Sequence, residues 1–352
     1  MSSGIKKLLS ILFIILSITV VFFIAFSNQD LTNAWDAISR MNLYWLAGIF
    51  GCWLTYTFFD GLNYWCYLKR QGFRISIGRA VNVALIGFYY SNITPSAAGG
   101  QPMQVNSMRK AGIPVGYGTM AVTIRFITNQ TMISVISFVL FLLNKDFVYQ
   151  QLSAAIWFVY IGWIINFAAV PLVLLAAFKR QWVQKLAEFL IGLLEKIHLI
   201  RNREMSISKV TEVLDTYHTA LLNLMHSPGQ ILLQFACSTV SLFGLFGTIV
   251  FVYYAFGQSG TPWYHILTLS SLLFISASYT PLPGASGAQE GGFLLYFQGI
   301  FKDGTIGLAL LIWRFFTFYL YLIVGVFTIL LEKIILRREA KKRKRDTDNS
   351  GQ

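Results

Sequence analysis

Charge is what this chain has least of. Only 12% of its 352 residues are charged, about half the share of an ordinary soluble domain. So few charges cannot clothe a water-soluble globule of this size, which excludes a cytosolic enzyme, a secreted domain and a nucleic-acid reader, despite a net charge of +13. Cysteine is scarce too. Cys52, Cys66 and Cys237 sit in apolar stretches with no C-x-x-C pair, so neither a disulfide framework nor a zinc site is indicated. His198, His218, His226 and His265 form no H-E-x-x-H pattern, and no G-K-[ST] phosphate loop occurs, so the sequence points to no metal and no nucleotide cofactor.

What is present is apolar length. The chain is 55% hydrophobic and 16% aromatic, the composition of a polytopic membrane protein in which lipid replaces polar surface. Residues 8–26 carry no charge and at about 1.5 Å per residue reach about 28 Å, enough to cross hydrocarbon. Further apolar stretches run over 43–67, 80–108, 117–143, 154–178, 231–256, 264–301 and 304–331.

Basic flanks orient these stretches. Lys6 and Lys7 put the N-terminus inside. Lys69, Arg70, Arg74 and Arg79 do the same for the next loop, Lys179, Arg180 and Lys185 for the polar interval 179–226, and the basic tail 333–345 for the C-terminus. Stretch 80–108 must then enter and leave on the inner side, and 264–301 on the outer side. The turns fall where proline and glycine break helix. The first is Thr94-Pro95-Ser96-Ala97-Ala98-Gly99-Gly100. The second is Thr280-Pro281-Leu282-Pro283-Gly284-Ala285-Ser286-Gly287-Ala288-Gln289-Glu290-Gly291-Gly292. The expected fold is all-α: six full transmembrane helices plus two opposed re-entrant hairpins.

The two breaks read alike: a Thr-Pro step, small residues with glycine, then Gln101 or Gln289. A lone arginine follows each, Arg125 and Arg314, after 24 and 25 positions. Opposite entry sides make this an inverted repeat, a plan common among secondary transporters. Residues 1–335 read as one transmembrane domain, with 179–226 as a cytoplasmic segment of two amphipathic helices and 336–352 as a basic tail on anionic lipid.

Chemistry is expected where the breaks meet, because non-helical backbone at membrane depth must be buried in protein or line a wet cavity. An arginine at the bilayer centre costs at least ~2.5 kcal/mol. The guanidinium fork matches phosphate, so Arg125 and Arg314 read as phosphate anchors. Internal ion pairing, Arg314 with Glu290 and Arg125 with Asp60, is the alternative, and both can hold at once. Glu290 falls near a new helix start, where a carboxylate gains from the helix dipole. Asn92, Gln101, Gln104, Asn129, Gln130 and Gln289 are candidate polar lining or interhelical hydrogen-bonding groups.

At these residues the chain resembles the transmembrane flippase domain of bacterial lysylphosphatidylglycerol synthase/flippase proteins and their stand-alone relatives. The marks are Thr94-Pro95…Gly99-Gly100-Gln101, the more specific Pro281-x-Pro-Gly-x-x-Gly-x-x-Glu-Gly stretch, and the arginines that follow. The resemblance spans about residues 5–335. It implies a multi-pass protein of the bacterial cytoplasmic membrane that moves aminoacylated phosphatidylglycerol or another anionic-headgroup phospholipid, with membrane phospholipids as partners. Full-length members carry a soluble domain that transfers lysine from lysyl-tRNA to phosphatidylglycerol. The tail here is too short for that domain, so any such synthase is expected as a separate partner. A phosphatidylglycerol lysyltransferase, or a membrane subunit of one, is the alternative. A small-solute transporter on the same plan is a third reading.

Overall fold

The computed structural model describes residue 39 and residues 41–196, 203–301 and 304–350. The first expected span, 8–26, with Lys6, Lys7 and Arg40, lies outside them. All regular structure among the described residues is helical. Four helical runs are long and apolar enough to cross a membrane: Val115–Leu143, Lys145–Leu175, Pro228–Ala255 and Ile306–Ile335. Their outer faces carry exposed Leu142, Phe158, Ile164, Leu172, Leu232, Phe327 and Leu330. So much exposed apolar surface marks contact with lipid rather than water.

Helix α1 (Tyr44–Arg70) has 27 residues, about 40 Å of helix. Gly72, at φ 86°, ends it. The N–H of Phe73 returns to the Leu68 carbonyl at 3.0 Å and that of Gly72 to Lys69 at 3.1 Å, a left-handed cap open to glycine because it lacks Cβ. Helix α2 (Ile77–Ile93) starts on a Ser76 cap, whose Oγ accepts the Arg79 N–H at 3.3 Å. It stops before Pro95, which disfavours helical φ/ψ at Thr94. After the break, α3 (Gly100–Lys110) packs back along α2. A second helix–break–helix pair comprises α10 (Trp263–Ala277) and α11 (Ala288–Tyr296).

The remaining helices surround these pairs. They are α4 (Val115–Leu143), α5 (Lys145–Leu152), α6 (Ile156–Phe178), α7 (Arg180–Lys196), α8 (Arg203–Met225), α9 (Pro228–Ala255), α12 (Ile306–Arg314) and α13 (Leu320–Ser350). A π-helical turn, Phe315–Tyr319, joins α12 to α13. Helices α1 and α9 lie side by side at close range. A Cβ on Gly244 would meet the Cys52 carbonyl and the Tyr56 nitrogen at 2.9 Å, the approach that small residues permit between membrane helices.

Of the three apolar clusters among the described residues, two are large. One gathers α4, α5, α6 and α9 around the second pair, with Phe293, Tyr296, Phe297 and Trp313 buried. The other surrounds the first pair, with Tyr64, Tyr67, Met108 and Met120 buried. The two amphipathic helices expected over 179–226 are α7 and α8, and they differ. Helix α8 buries Ala220, Leu221 and Leu224 in the second core, whereas α7 leaves Trp182 and Phe189 exposed.

Candidate functional site

The two breaks open on the same backbone and then part, Ala98 and Gly99 being right-handed helical where Ser286 is extended and Gly287 has φ 86°. Thr94 (φ −122°, ψ 142°) and Leu282 (φ −77°, ψ 145°) are extended, and Pro95 and Pro283 then open short 3₁₀ turns. Two left-handed residues follow in each: Ser96 (φ 51°) and Ala97 (φ 55°), then Gly284 (φ 60°) and Ala285 (φ 50°). Pro95 therefore corresponds to Pro283, not to Pro281 as the shared Thr-Pro step suggests. In this register Gly99 corresponds to Gly287 and Gln101 to Gln289, each pair equally spaced from its proline. The breaks also touch. The Ser96 N–H donates to the Pro281 carbonyl at 2.9 Å.

One position beyond the glutamine the halves diverge: Pro102 stands where the second half has Glu290. Glu290 is fully buried. Its Oε2 accepts the Gly287 N–H at 2.6 Å, and its Oε1 accepts Arg314 Nε at 2.6 Å and also Arg314 Nη2. Arg314 Nη1 donates to Gln289 Oε1 at 2.6 Å and Nη2 to the Gly284 carbonyl at 3.2 Å. All three guanidinium nitrogens thus brace the break from which Glu290 and Gln289 emerge. The ring of Phe318, on the π turn, lies 5.0 Å from the Arg314 guanidinium. Gly284 leaves room for that ring: a Cβ there would come within 2.2 Å of it.

The first half borrows its carboxylate from α1. Arg125 Nε donates to Asp60 Oδ1 at 2.7 Å, and Nη2 lies 2.5 Å from the same oxygen. Asp60 Oδ2 has no hydrogen-bond partner. Phe88 lies 5.9 Å from the Arg125 guanidinium. Both ion pairs raised as alternatives from the sequence are therefore present. They differ in saturation: Glu290 uses both oxygens and Asp60 uses one.

A cavity of about 440 Å³ opens where the halves meet. Ser96, Asn92 and Asn129 line it from the first half, and Thr280, Gly284, Gln289 and Arg314 from the second, with Tyr56, Phe88, Phe318 and Tyr321 as aromatic wall. Asp60, Arg125, Glu290 and Gln101 are not in the lining. Asp60 and Glu290 stand buried behind it, and Gln101 is exposed on the first turn of α3. Gly100 admits close packing: a Cβ would meet Ser91 Oγ at 2.1 Å. Gly99 donates its N–H to Thr94 Oγ1 at 2.9 Å, while Gly291 and Gly292 lie within α11.

The family described as "Lysylphosphatidylglycerol synthase TM region" matches residues 8–325. The chain belongs to this family. Among its relatives is a "UPF0104 membrane protein" of Archaeoglobus fulgidus, 22% identical over 316 residues, covering 89% of this chain and 93% of the relative. No solved structure matches.

Sequence reasoning missed Asn166, which sits in the charge-free stretch 154–178. It donates to Ser278 Oγ at 2.6 Å and accepts from Gln130, tying α4 and α6 to the second break. It also missed Glu332, whose carboxylate accepts Ser107 Oγ at 2.5 Å and Lys110 Nζ at 2.9 Å. A single acid beside a basic tail gives no sequence signal of a partner so far away in the chain.

Proposed function

We propose that this chain is a phospholipid translocase of the bacterial cytoplasmic membrane. Six full spans and two opposed re-entrant hairpins, with both termini inside, would carry a headgroup through the central cavity while the acyl chains stay in the bilayer. The observation that carries this reading is the polar cavity formed at the contact of two unwound segments, inside a helical protein with lipid-facing outer surfaces. Its volume of about 440 Å³ falls within the size range of small-ligand pockets. The family supports a membrane-lipid role.

The phosphate would enter at Arg314, exchanging with Gln289 for a guanidinium N–H, so that binding loosens the brace on the second break. Arg125 would act from behind Phe88, through its pair with Asp60. An aminoacylated or other anionic headgroup suits this arrangement. The test is a leaflet-resolved assay in proteoliposomes with a panel of labelled phospholipids. Transfer above protein-free vesicles supports the reading, and no transfer of any lipid overturns it.

A further inference from the structure

Two of the three cysteines meet across the interface of α1 and α9. No spacing in the sequence points to this, since Cys66 and Cys237 lie far apart in the chain. Hydrogen bonds between the two helices frame the pair. Asn63 Nδ2 donates to the Gln234 carbonyl and to Ser238 Oγ, each at 3.2 Å, and Gln234 Nε2 returns to the Asn63 carbonyl at 3.1 Å. On the other side of Cys66, the Tyr67 carbonyl accepts Gln230 Nε2 at 3.4 Å. Within this frame the Cys66 and Cys237 thiols are hydrogen-bonded to each other.

The two sulfurs differ in access. Cys237 is buried and Cys66 is half-buried, within a turn of exposed Lys69 and Arg70. Cys52 lies on the same helix and is also half-buried, but it faces a glycine: a Cβ on Gly247 would lie 3.2 Å from Cys52 Sγ. The interface thus offers one thiol pair and one thiol opposite a glycine.

We propose that Cys66 and Cys237 form an oxidation site that closes reversibly into a disulfide and fixes α1 against α9. The oxidant is a peroxide. The accessible Cys66 sulfur, as thiolate, attacks a peroxide oxygen; the O–O bond breaks, water leaves, and Cys66 becomes a sulfenic acid. The Cys237 sulfur then attacks the Cys66 sulfur, the S–O bond breaks, and the oxygen leaves as a second water with the Cys237 proton. Two thiols lose two electrons and one hydrogen peroxide is reduced to two waters. In a reducing compartment such a bond is transient, which suits a sensor rather than a permanent staple. The pinned seam also positions Arg125. Ser238, next to Cys237, donates to Thr128 Oγ1 at 2.9 Å, Thr128 donates to the Arg125 carbonyl at 3.2 Å, and Asp60 of α1 holds the Arg125 guanidinium. The oxidation site stands independently, whereas its effect on lipid movement rests on the translocation reading: a bond here opposes any shift of α1 along α9.

The test treats the detergent-purified full chain with hydrogen peroxide, blocks free thiols, and maps the digest by mass spectrometry without reductant. The expected product is a Cys66–Cys237 linked peptide from protein that stays monomeric on a non-reducing gel. Dithiothreitol should remove the link, and Cys52 should be recovered alkylated. Cys52→Ala should keep the link and Cys66→Ala should lose it. Oxidation should also raise the Tm of wild type but not of Cys66→Ala, because closing a long loop constrains the unfolded chain. Over-oxidation of Cys66 without a link, a link to Cys52, or a link between two copies each overturns the proposal. In proteoliposomes, peroxide should slow lipid transfer several-fold and dithiothreitol should restore it, with Cys66→Ala insensitive to both; a linked protein that transfers at the reduced rate overturns the regulatory effect. A linked peptide in a protein that moves no lipid even when reduced rejects the translocase and keeps the oxidation site. Lipid transfer without a linked peptide does the reverse.

Discussion

Ser96 and Pro281, far apart in the chain, are joined by a main-chain hydrogen bond of 2.9 Å. Through it the two helix breaks form one structure, and the cavity lies along their contact. Each break contributes backbone polar groups that helix cannot satisfy, and each is therefore placed against protein or cavity.

The brace around Arg314 predicts a large stability effect. Arg314→Gln strips buried Glu290 of its charge partner. The expected loss is about 3–5 kcal/mol, read as a fall in Tm in detergent. Adding Glu290→Gln should recover most of it, because no lone charge then remains. Equal Tm values for wild type and Arg314→Gln would rule out the brace.

Gly284 should tolerate no side chain. Its φ of 60° opposes one, and so does Phe318, whose ring lies 2.2 Å from the point a Cβ would occupy. Gly284→Val is expected to lower Tm strongly, since a β-branched residue is strained in this region. Ala97→Gly, at φ 55°, should raise stability or leave it unchanged by relieving a left-handed alanine. The reverse order of the two effects would refute the backbone assignment.

The contact between the breaks predicts a cross-link. Ser96→Cys with Pro281→Cys should be joined by a short thiol-reactive linker, giving a gel-mobility shift after proteolysis between the two sites. Pairing Ser96→Cys with a cysteine at lipid-facing Leu232, which is 71% exposed, should give none. A shift only in the control pair would place the breaks apart.

Much of this architecture is legible in the sequence because membrane constraints are strict. Charge scarcity exposes the spans, and a lone arginine in each of two apolar stretches marks Arg125 and Arg314 at once. The breaks at 94–100 and 280–292 fall where Pro and Gly interrupt long apolar stretches. The Thr-Pro likeness sets the register wrong by two residues, because Thr-Pro occurs at both Pro95 and Pro281 while the left-handed pair is set by what surrounds the turn, Phe318 for Gly284. Likeness to Gln289 assigns Gln101 to the cavity, but the rotation of a short helix after a break decides exposure, and a pattern match does not encode it. The unequal saturation of Asp60 and Glu290 goes with Pro102 standing where the second half has Glu290, one residue past the glutamine both breaks share, but which carboxylate Arg125 then uses is set by the packing of α1 against α4.

Cavity occlusion tests the central claim most directly. Thr280 lines the cavity, and Thr280→Trp should fill much of it while leaving the residues of both arginine pairs unsubstituted. Leaflet-resolved lipid transfer in proteoliposomes should fall to the protein-free rate for Thr280→Trp, while Leu232→Trp, on the lipid-facing surface, keeps the wild-type rate. Wild-type transfer by a folded Thr280→Trp protein would contradict passage of the headgroup between the two breaks.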